Sequence, residues 1–471
     1  MVTNSMATPS EIIQKLWSLS GVLRDDGMVY HQYMAELTYL LFLKIAQETG
    51  TEEALPEGYR WHDLVQNEGE GQLGFYRKML THLGEDAPNT QVREIFAFPT
   101  TVFKHNANLQ LVVRRIDGMD WYSTSRDDFG DIYEGLLEKN AVEAKAGAGQ
   151  YFTSRALIDS IVSLVKPKAG EICQDPAAGT GGFLISADRY ARARSKGRGA
   201  HCQGIELVQD TYRLCLMNLF VHGIEGRLVH GDALSDDHSV LDLADVVVTN
   251  PPFGTKGGGG APRRSDLPHA TANKQLLFVQ HIYRGLKQGG RAAVVLPDNV
   301  LFEGNVAQRI RADLMSECDL HTILRLPNGI FYAGVKTNVL FFTRREGNQE
   351  NSRNIWVYDA RTGVPPFGKR TPLTREFFRE FEHCFGEDPF GTDRSDETAG
   401  SYNRWRRFDR ESIRRDADNL DVKWLRDDAG QPDGFVDAEE IAAEITANLQ
   451  IALSEIRTLT DMMLSAQKDP V

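Results

Sequence analysis

Asn250-Pro251-Pro252-Phe253 brings together an amide side chain, backbone carbonyls and an aromatic ring within four residues. Proline lacks a backbone N–H, so residues 251 and 252 present acceptors without competing donors. Such a turn is suited to holding a planar, amine-bearing ring while a group is transferred to its nitrogen. The rival reading is a proline-rich turn that ends the buried-looking strand Ala244–Thr249.

A group donor has a place upstream. Asp175-Pro176-Ala177-Ala178-Gly179-Thr180-Gly181-Gly182-Phe183 follows a predicted strand and opens a predicted helix. Its glycines allow tight turning and close approach of a ligand, and N–H groups at a helix N-terminus face a ligand carboxylate. No Gly-Lys-Ser/Thr follows, so it is not a Walker loop. Glu206 stands directly after the next strand, placed to accept hydrogen bonds from ribose hydroxyls. Asp232, in Gly231-Asp232-Ala233-Leu234, follows the third strand and can accept from the exocyclic amine of an adenine. Each acid alone reads equally well as a surface carboxylate. Acids at three successive strand ends read as a nucleoside-binding edge.

The elements that position these residues alternate. Predicted strands are Glu171–Gln174, Cys202–Ile205, Arg227–Val229, Asp245–Thr249, Arg291–Leu296, Thr322–Leu326 and Asn338–Thr343, with helical spacing over Phe183–Arg194, Asp210–Val221 and Asn273–Leu286. This is the pattern of a largely parallel sheet covered on both faces, which binds ligands beyond the carboxyl ends of its strands. Residues 1 to about 145 read as mainly helical. Ser10 is expected to cap a first helix, a second covers His31–Glu48, and a third covers Phe129–Lys139. Gly254–Asn273 reads as a loop, either a solvated connector or a lid, and Gly386–Ser401 as a surface excursion. Along the tail 437–464, Ala442, Ile445, Leu449, Ala452, Ile456, Leu459 and Met463 recur three and four apart, the spacing of a coiled-coil seam.

A chain of 471 residues exceeds one ordinary core, so two or three domains are expected. With 41% hydrophobic and 25% charged residues it belongs among soluble globular proteins. A net charge of −13 argues against broad polyanion binding by this chain alone. Five cysteines, an odd number without a Cys-x-x-Cys pair, fit a reducing cytoplasm and disfavour a disulfide framework or a zinc site. His222, His230 and His238 show no metal spacing. The N-terminus lacks a signal pattern, and the apolar run Tyr39–Leu43, bracketed by Glu36 and Lys44, is too short for a membrane span.

In their order, Gln150-Tyr151-Phe152-Thr153, the glycine turn, Glu206, Asp232 and Asn250–Phe253 resemble the N6-adenine DNA methyltransferases. More closely, the chain resembles the modification (M) subunit of type I restriction-modification systems. Leu296-Pro297-Asp298-Asn299-Val300-Leu301-Phe302, Leu326-Pro327-Asn328-Gly329-Ile330-Phe331 and Thr337-Asn338-Val339-Leu340-Phe341-Phe342 share in the likeness, which covers nearly the whole chain. It implies an α/β class I S-adenosylmethionine-dependent methyltransferase, Rossmann-like, with a mostly parallel seven-stranded sheet. The implied domains are an N-terminal helical domain (1–145), a catalytic domain (146–430) and a C-terminal helix for assembly (436–471). It also implies that Gln150, Tyr151, Phe152, Thr153, Ser154 and Arg155 line the cofactor pocket, together with Asp175, Ala177, Gly179, Thr180, Gly181, Gly182, Phe183, Glu206, Asp232 and Ala233. Ser154 departs from the family, which commonly has a stiffer proline there.

On this reading Asn250 Oδ1 and the Pro251 carbonyl accept the two N–H bonds of adenine N6, and Phe253 stacks on the flipped-out base. The implied partners are double-stranded DNA, a specificity (S) subunit with two M per S, and a restriction (R) subunit. Methylation of an amine in RNA or protein is the alternative within the enzyme class, and a non-catalytic cofactor-sensing scaffold the alternative outside it. Cytosine-C5 chemistry is disfavoured, since no Pro-Cys dipeptide and no cysteine lies near the turn. Arg263-Arg264, and Arg404, Arg406 and Arg407 around Trp405, read either as solvated charge or as phosphate contacts.

Overall fold

The runs Ala244–Thr249 and Thr337–Arg344 are buried along almost their whole length, which strands achieve only in a sheet covered on both faces. The computed structural model describes residues 9–19, 30–69, 71–119, 121, 131–136, 139, 153–254, 264–331, 335–346, 351–367, 371–394 and 403–425. Gln150, Tyr151 and Phe152, the stretch Gly257–Gly260, Arg263 and the heptad-like seam at 437–464 lie outside the described residues. No helix among the described residues is long and apolar enough to cross a membrane.

The chain divides into two compact units. The first comprises Met1–Phe152, Gly179–Gly181 and Val208–His230. Its helices include Pro9–Ser18, Tyr30–Glu48, Gln72–Glu85, Thr90–Ile95 and Asn106–Asp117. The first starts at Pro9, a residue suited to an opening turn, so Ser10 lies within the helix instead of capping it. Of the third expected helix, 131–136 and 139 are described and helical. Glu36 sits buried between Tyr76 Oη (2.6 Å), Thr101 Oγ1 (3.0 Å) and the Val102 N–H (2.7 Å).

Helix Gln209–Val221 and strand Gly226–His230, expected inside the catalytic domain, group with this first unit. The bonding explains why. Arg213 donates to the Ile95 and Ala97 carbonyls (2.8 and 2.9 Å), and Gln91 to the Leu216 carbonyl (3.0 Å).

The second unit comprises Thr153–Ala178, Gly182–Leu207 and Gly231–Val471. In chain order its strands, with Gly226–His230 counted as β3, are β1 (Ile172–Asp175), β2 (His201–Glu206), β4 (Ala244–Thr249), β5 (Leu286–Pro297), β6 (Cys318–Arg325), β7 (Thr337–Arg344), β8 (Asn354–Asp359) and β9 (Trp405–Asp409). Within this unit they lie in the order β2-β1-β4-β5-β7-β6-β8-β9. The pairings are parallel except those of β7 with β5 and β6, and of β9 with β8.

All seven expected strands form, but the count of seven is too low: β8 and β9 extend the sheet. Trp405 is the reason for the last of these. It stacks on Trp356 of β8 (5.3 Å, 11°), which buries it and turns the arginine-rich stretch into an edge strand. Arg406 and Arg407 face outward, whereas Arg404 donates to the Asp359 carbonyl at 2.7 Å. The core runs along one sheet face, where Leu157, Ile161 and Val165 of helix Arg155–Val165 meet Val246, Val248, Ala293, Val295 and Phe341.

Candidate active site

Strand order reverses at β1, which pairs in parallel with both β2 and β4. The crevice beyond the carboxyl ends of β1 and β4 is therefore the expected ligand position. Here Thr249, the last residue of β4, donates from Oγ1 to Asp175 Oδ1, the last residue of β1, at 2.6 Å. The same oxygen accepts the Ala177 N–H at 3.0 Å. Burial raises the Asp175 carboxyl to about 7; the two hydrogen bonds pull it down and the charge of Glu206 pushes it further up. The hydroxyl of Thr249 thus ties the turn after β1 to the residue immediately before Asn250, a role its sequence position does not announce.

Asn250 donates from Nδ2 to Thr153 Oγ1 at 3.0 Å, while its Oδ1 is buried and has no hydrogen-bond partner among the described residues. Thr153 itself is buried. Ser154, where the family commonly has proline, caps helix Arg155–Val165: its Oγ accepts the Leu157 N–H at 3.4 Å and its φ is −59°. That φ matches what proline would impose, so the serine holds the same entry angle by capping. Pro251 is buried, and Pro252 and Phe253 are half-buried. Phe253 meets Phe331 edge to face (6.3 Å, 80°) at the margin of the core.

At the carboxyl end of β2, Ala178 N–H donates to the Ile205 carbonyl (2.9 Å) and Gly231 N–H to the Glu206 carbonyl (3.0 Å). These bonds draw the segments after β1 and before Asp232 to the end of β2. Glu206 is buried. Asp232 closes a turn, its Oδ1 accepting the Leu234 N–H at 2.8 Å and its N–H donating to Asp237 Oδ2 at 2.9 Å. Gly179 and Gly181 adopt φ of 54° and 84°, in the left-handed region that glycine enters without strain, and Asn218 Nδ2 donates to the Thr180 carbonyl at 2.9 Å. The Phe183 side chain lies in the apolar core, so only its backbone is available to a ligand. An added Cβ at Gly182 would stand 2.9 Å from Ile158 Cδ1.

Two arginines carry structure that sequence reasoning misses. Arg361 donates from Nη1 and Nη2 to both carboxylate oxygens of Asp298 (2.7 and 2.9 Å), from Nη2 to the Thr337 carbonyl (2.9 Å) and from Nε to the Leu326 carbonyl (3.0 Å). Burial pushes the Asp298 carboxyl up, but Arg361 and Asn338 outweigh it and hold the group below its usual range. Arg264 is expected from sequence in a solvated or phosphate-facing pair; it is buried instead and forks onto Asp266. No sequence signal distinguishes such an arginine from a surface one, because both sit in polar, glycine-rich loops.

Comparison with known proteins shows the family. Residues 124–427 match the N-6 DNA Methylase family. The chain is 48% identical to the type I restriction enzyme EcoKI methylase subunit of Escherichia coli strain K12, over 96% of this chain and 94% of that protein. It is 47% identical to the StySPI methylase subunit of Salmonella potsdam, with the same coverage. A solved chain from a type I R-M system superposes with a TM-score of 0.72 at 25% identity, covering 97% of this chain and 98% of that one. The chain belongs to the N-6 DNA methylases, among the methylase subunits of type I restriction enzymes.

Proposed function

We propose that this chain transfers the methyl group of S-adenosylmethionine to N6 of an adenine flipped out of double-stranded DNA, with Asn250–Phe253 as the reacting turn. The observation that carries this reading is the Asn250 amide. Thr153 holds its Nδ2, and its Oδ1 is a buried acceptor without a donor among the described residues. Buried acceptors are rarely left unsatisfied, and the exceptions call for an explanation. An exocyclic amine supplies the missing donor.

Adenine N6 is a poor nucleophile because its lone pair is delocalised into the ring. Oδ1 of Asn250 and the Pro251 carbonyl accept its two N–H bonds, draw the nitrogen toward a tetrahedral shape and stabilise the positive charge that builds there. Neither acceptor keeps the proton, which leaves to solvent. Phe253, braced by Phe331, stacks on the base. Such stacking contributes roughly 1–3 kcal/mol and offsets part of the cost of flipping.

The bound donor supplies an electrophilic sulfonium methyl. The residues present fit it: Glu206 offers a buried carboxylate to ribose hydroxyls, and the Asp232–Leu234 turn offers an acceptor edge to the adenine amine. Gly179 and Gly181 take the left-handed φ that lets a backbone approach a ligand closely, and the family likeness adds Ala177, Thr180, Gly182, Ala233 and residues 150–155 to the donor-binding set.

The chain works here as the modification subunit of a complex: two copies per specificity subunit, joined by a restriction subunit in the full assembly, in the cytoplasm. The specificity subunit reads the DNA sequence, and the seam at 437–464 is the candidate contact to it. The five cysteines, all buried, suit a reducing compartment.

The test is Asn250→Ala in the assembled complex, with transfer from labelled donor scored on DNA, RNA and protein. Methylation of DNA adenine should fall at least a thousandfold while donor binding stays within about twofold. Persistent adenine methylation would remove Asn250 from the chemistry, and label entering RNA or protein in the unsubstituted complex would replace the substrate.

A further inference from the structure

Arg264 makes contacts that a DNA-facing arginine would not. Its guanidinium is buried. Nε and Nη2 fork onto the two carboxylate oxygens of Asp266 (2.6 and 2.5 Å). Nη1 donates to the Ala233 carbonyl (3.1 Å), 31 residues away in sequence, and to His281 Nδ1 (2.9 Å). Burial and the adjoining Arg264 charge lower His281 to about 3, so its Nδ1 is an acceptor and adds no second positive charge. The fork lowers Asp266 to about 2, so its carboxylate stays ionised across the neutral range. A buried charge persists only when it is paired and its N–H groups are occupied.

The acceptor at the far end of this network is the middle of a turn already tightly bonded. Asp232 Oδ1 takes the Leu234 N–H, and the Asp232 carbonyl takes both the N–H and the hydroxyl of Ser235 (2.9 and 2.8 Å). Those local bonds fix the turn's shape; Arg264 fixes where that shape stands, by fastening it to helix Lys274–Gly285 through His281.

We propose that Arg264 is a positioning residue for the methyl donor: by holding the Ala233 carbonyl it keeps the Asp232–Leu234 turn in place to receive the donor's adenosyl end. This rests on the reading that the turn binds the donor. Lysine cannot replace it, since one ammonium cannot span a carboxylate, a carbonyl and an imidazole in the plane of a guanidinium fork.

The experiment measures S-adenosylmethionine binding by calorimetry and turnover at saturating donor, in the assembled complex, for Arg264→Lys and Asp232→Ala. The lysine variant should bind the donor about tenfold more weakly, with turnover at saturating donor within about threefold and KM for DNA unchanged. A folded Arg264→Lys that binds donor normally overturns the proposal, as does one that loses turnover at unchanged donor affinity. Normal donor binding by Asp232→Ala overturns instead the reading of the turn. Should Arg264→Lys fail to fold, Asp266→Asn loosens the same fork from its more exposed side. It should weaken donor binding about threefold, and unchanged affinity in that variant likewise overturns the proposal.

Discussion

Thr153 and Asn250, 97 residues apart in sequence, are joined by a 3.0 Å hydrogen bond in which the asparagine amide donates to the threonine hydroxyl. Both groups are short of alternatives, since Thr153 is buried and the other end of the amide has no partner among the described residues. The bond decides which way the amide faces. With Nδ2 committed to Thr153, the acceptor Oδ1 is the atom presented to an incoming amine.

Thr153→Val keeps the shape of the side chain and removes the acceptor. Losing such a bond costs on the order of 1 kcal/mol, and it also frees the amide to turn its donor toward the substrate. Turnover is expected to fall about tenfold with donor affinity unchanged, and Thr153→Ser to restore it. Steady-state kinetics at saturating donor check this. The family likeness makes Thr153 a contact to the methyl donor, so the parameter that moves separates the two roles: weaker donor binding at unchanged turnover would assign it to the donor.

Asp175 carries a pH-dependence with a definite sign. Its carboxyl lies at about 7 in the folded chain because it is buried, against 3.8 ordinarily. Across that interval the folded state holds a proton that the unfolded state has released. The stabilisation is complete below about pH 4 and is lost as pH rises through 7. Asp175→Asn keeps an acceptor for Thr249 and Ala177 and removes the titration. Denaturant midpoints between pH 4 and 8 should therefore fall less steeply for the variant. Glu36 of the first unit, also raised to about 7 by burial, gives the same sign and is the control: Glu36→Gln should flatten the slope independently. Parallel curves for Asp175→Asn and the unsubstituted chain would show that Asp175 is ionised in the fold.

Much of this site is legible in the amino-acid sequence. The strands are visible because Ala244–Thr249 and Asn338–Thr343 are largely apolar or β-branched runs, and they put Asp175, Glu206 and Asn250 at strand carboxyl ends, where the structure has them. Trp405 escapes such a reading because a tryptophan among arginines has the composition of a surface patch; only Trp356, 49 positions earlier in the chain, explains it. Arg264 and Arg361 are invisible for a related reason. Several of their partners are backbone carbonyls, and every residue has one, so no pattern of residue types marks the contact. The role of Thr153 is equally hidden, since a threonine that orients an amide and one that lines a pocket are the same letter.

Arg361 offers the most direct test of how the site is held. Its single guanidinium contacts three of the segments that carry the family likeness: Asp298 in Leu296–Phe302, the Leu326 carbonyl at the head of Leu326–Phe331, and the Thr337 carbonyl at the head of Thr337–Phe342. The second of these ends at Phe331, the ring that braces Phe253. Between them Gly329 turns at φ 79°, where an added Cβ would collide with the Phe367 carbonyl, so this segment has little freedom to adjust. Arg361→Met leaves Asp298 without its fork and takes the Arg361 donor from the Leu326 carbonyl, while the Thr337 carbonyl keeps the Leu326 N–H. Breaking one side of a fully buried pair costs about 3–5 kcal/mol; Asp298 is half-buried, so the cost should be smaller, and the urea midpoint should drop accordingly. The double substitution Arg361→Met with Asp298→Asn should cost less than the sum of the two, because the uncompensated carboxylate is gone. Where the variants remain folded, KM for DNA should rise with little change in donor affinity, since the disturbance reaches Phe253 through Phe331 and leaves Glu206 and Asp232 untouched. Additive losses in the cycle would show that Arg361 and Asp298 act separately, and an unchanged KM for DNA would disconnect Phe331 from the placement of Phe253.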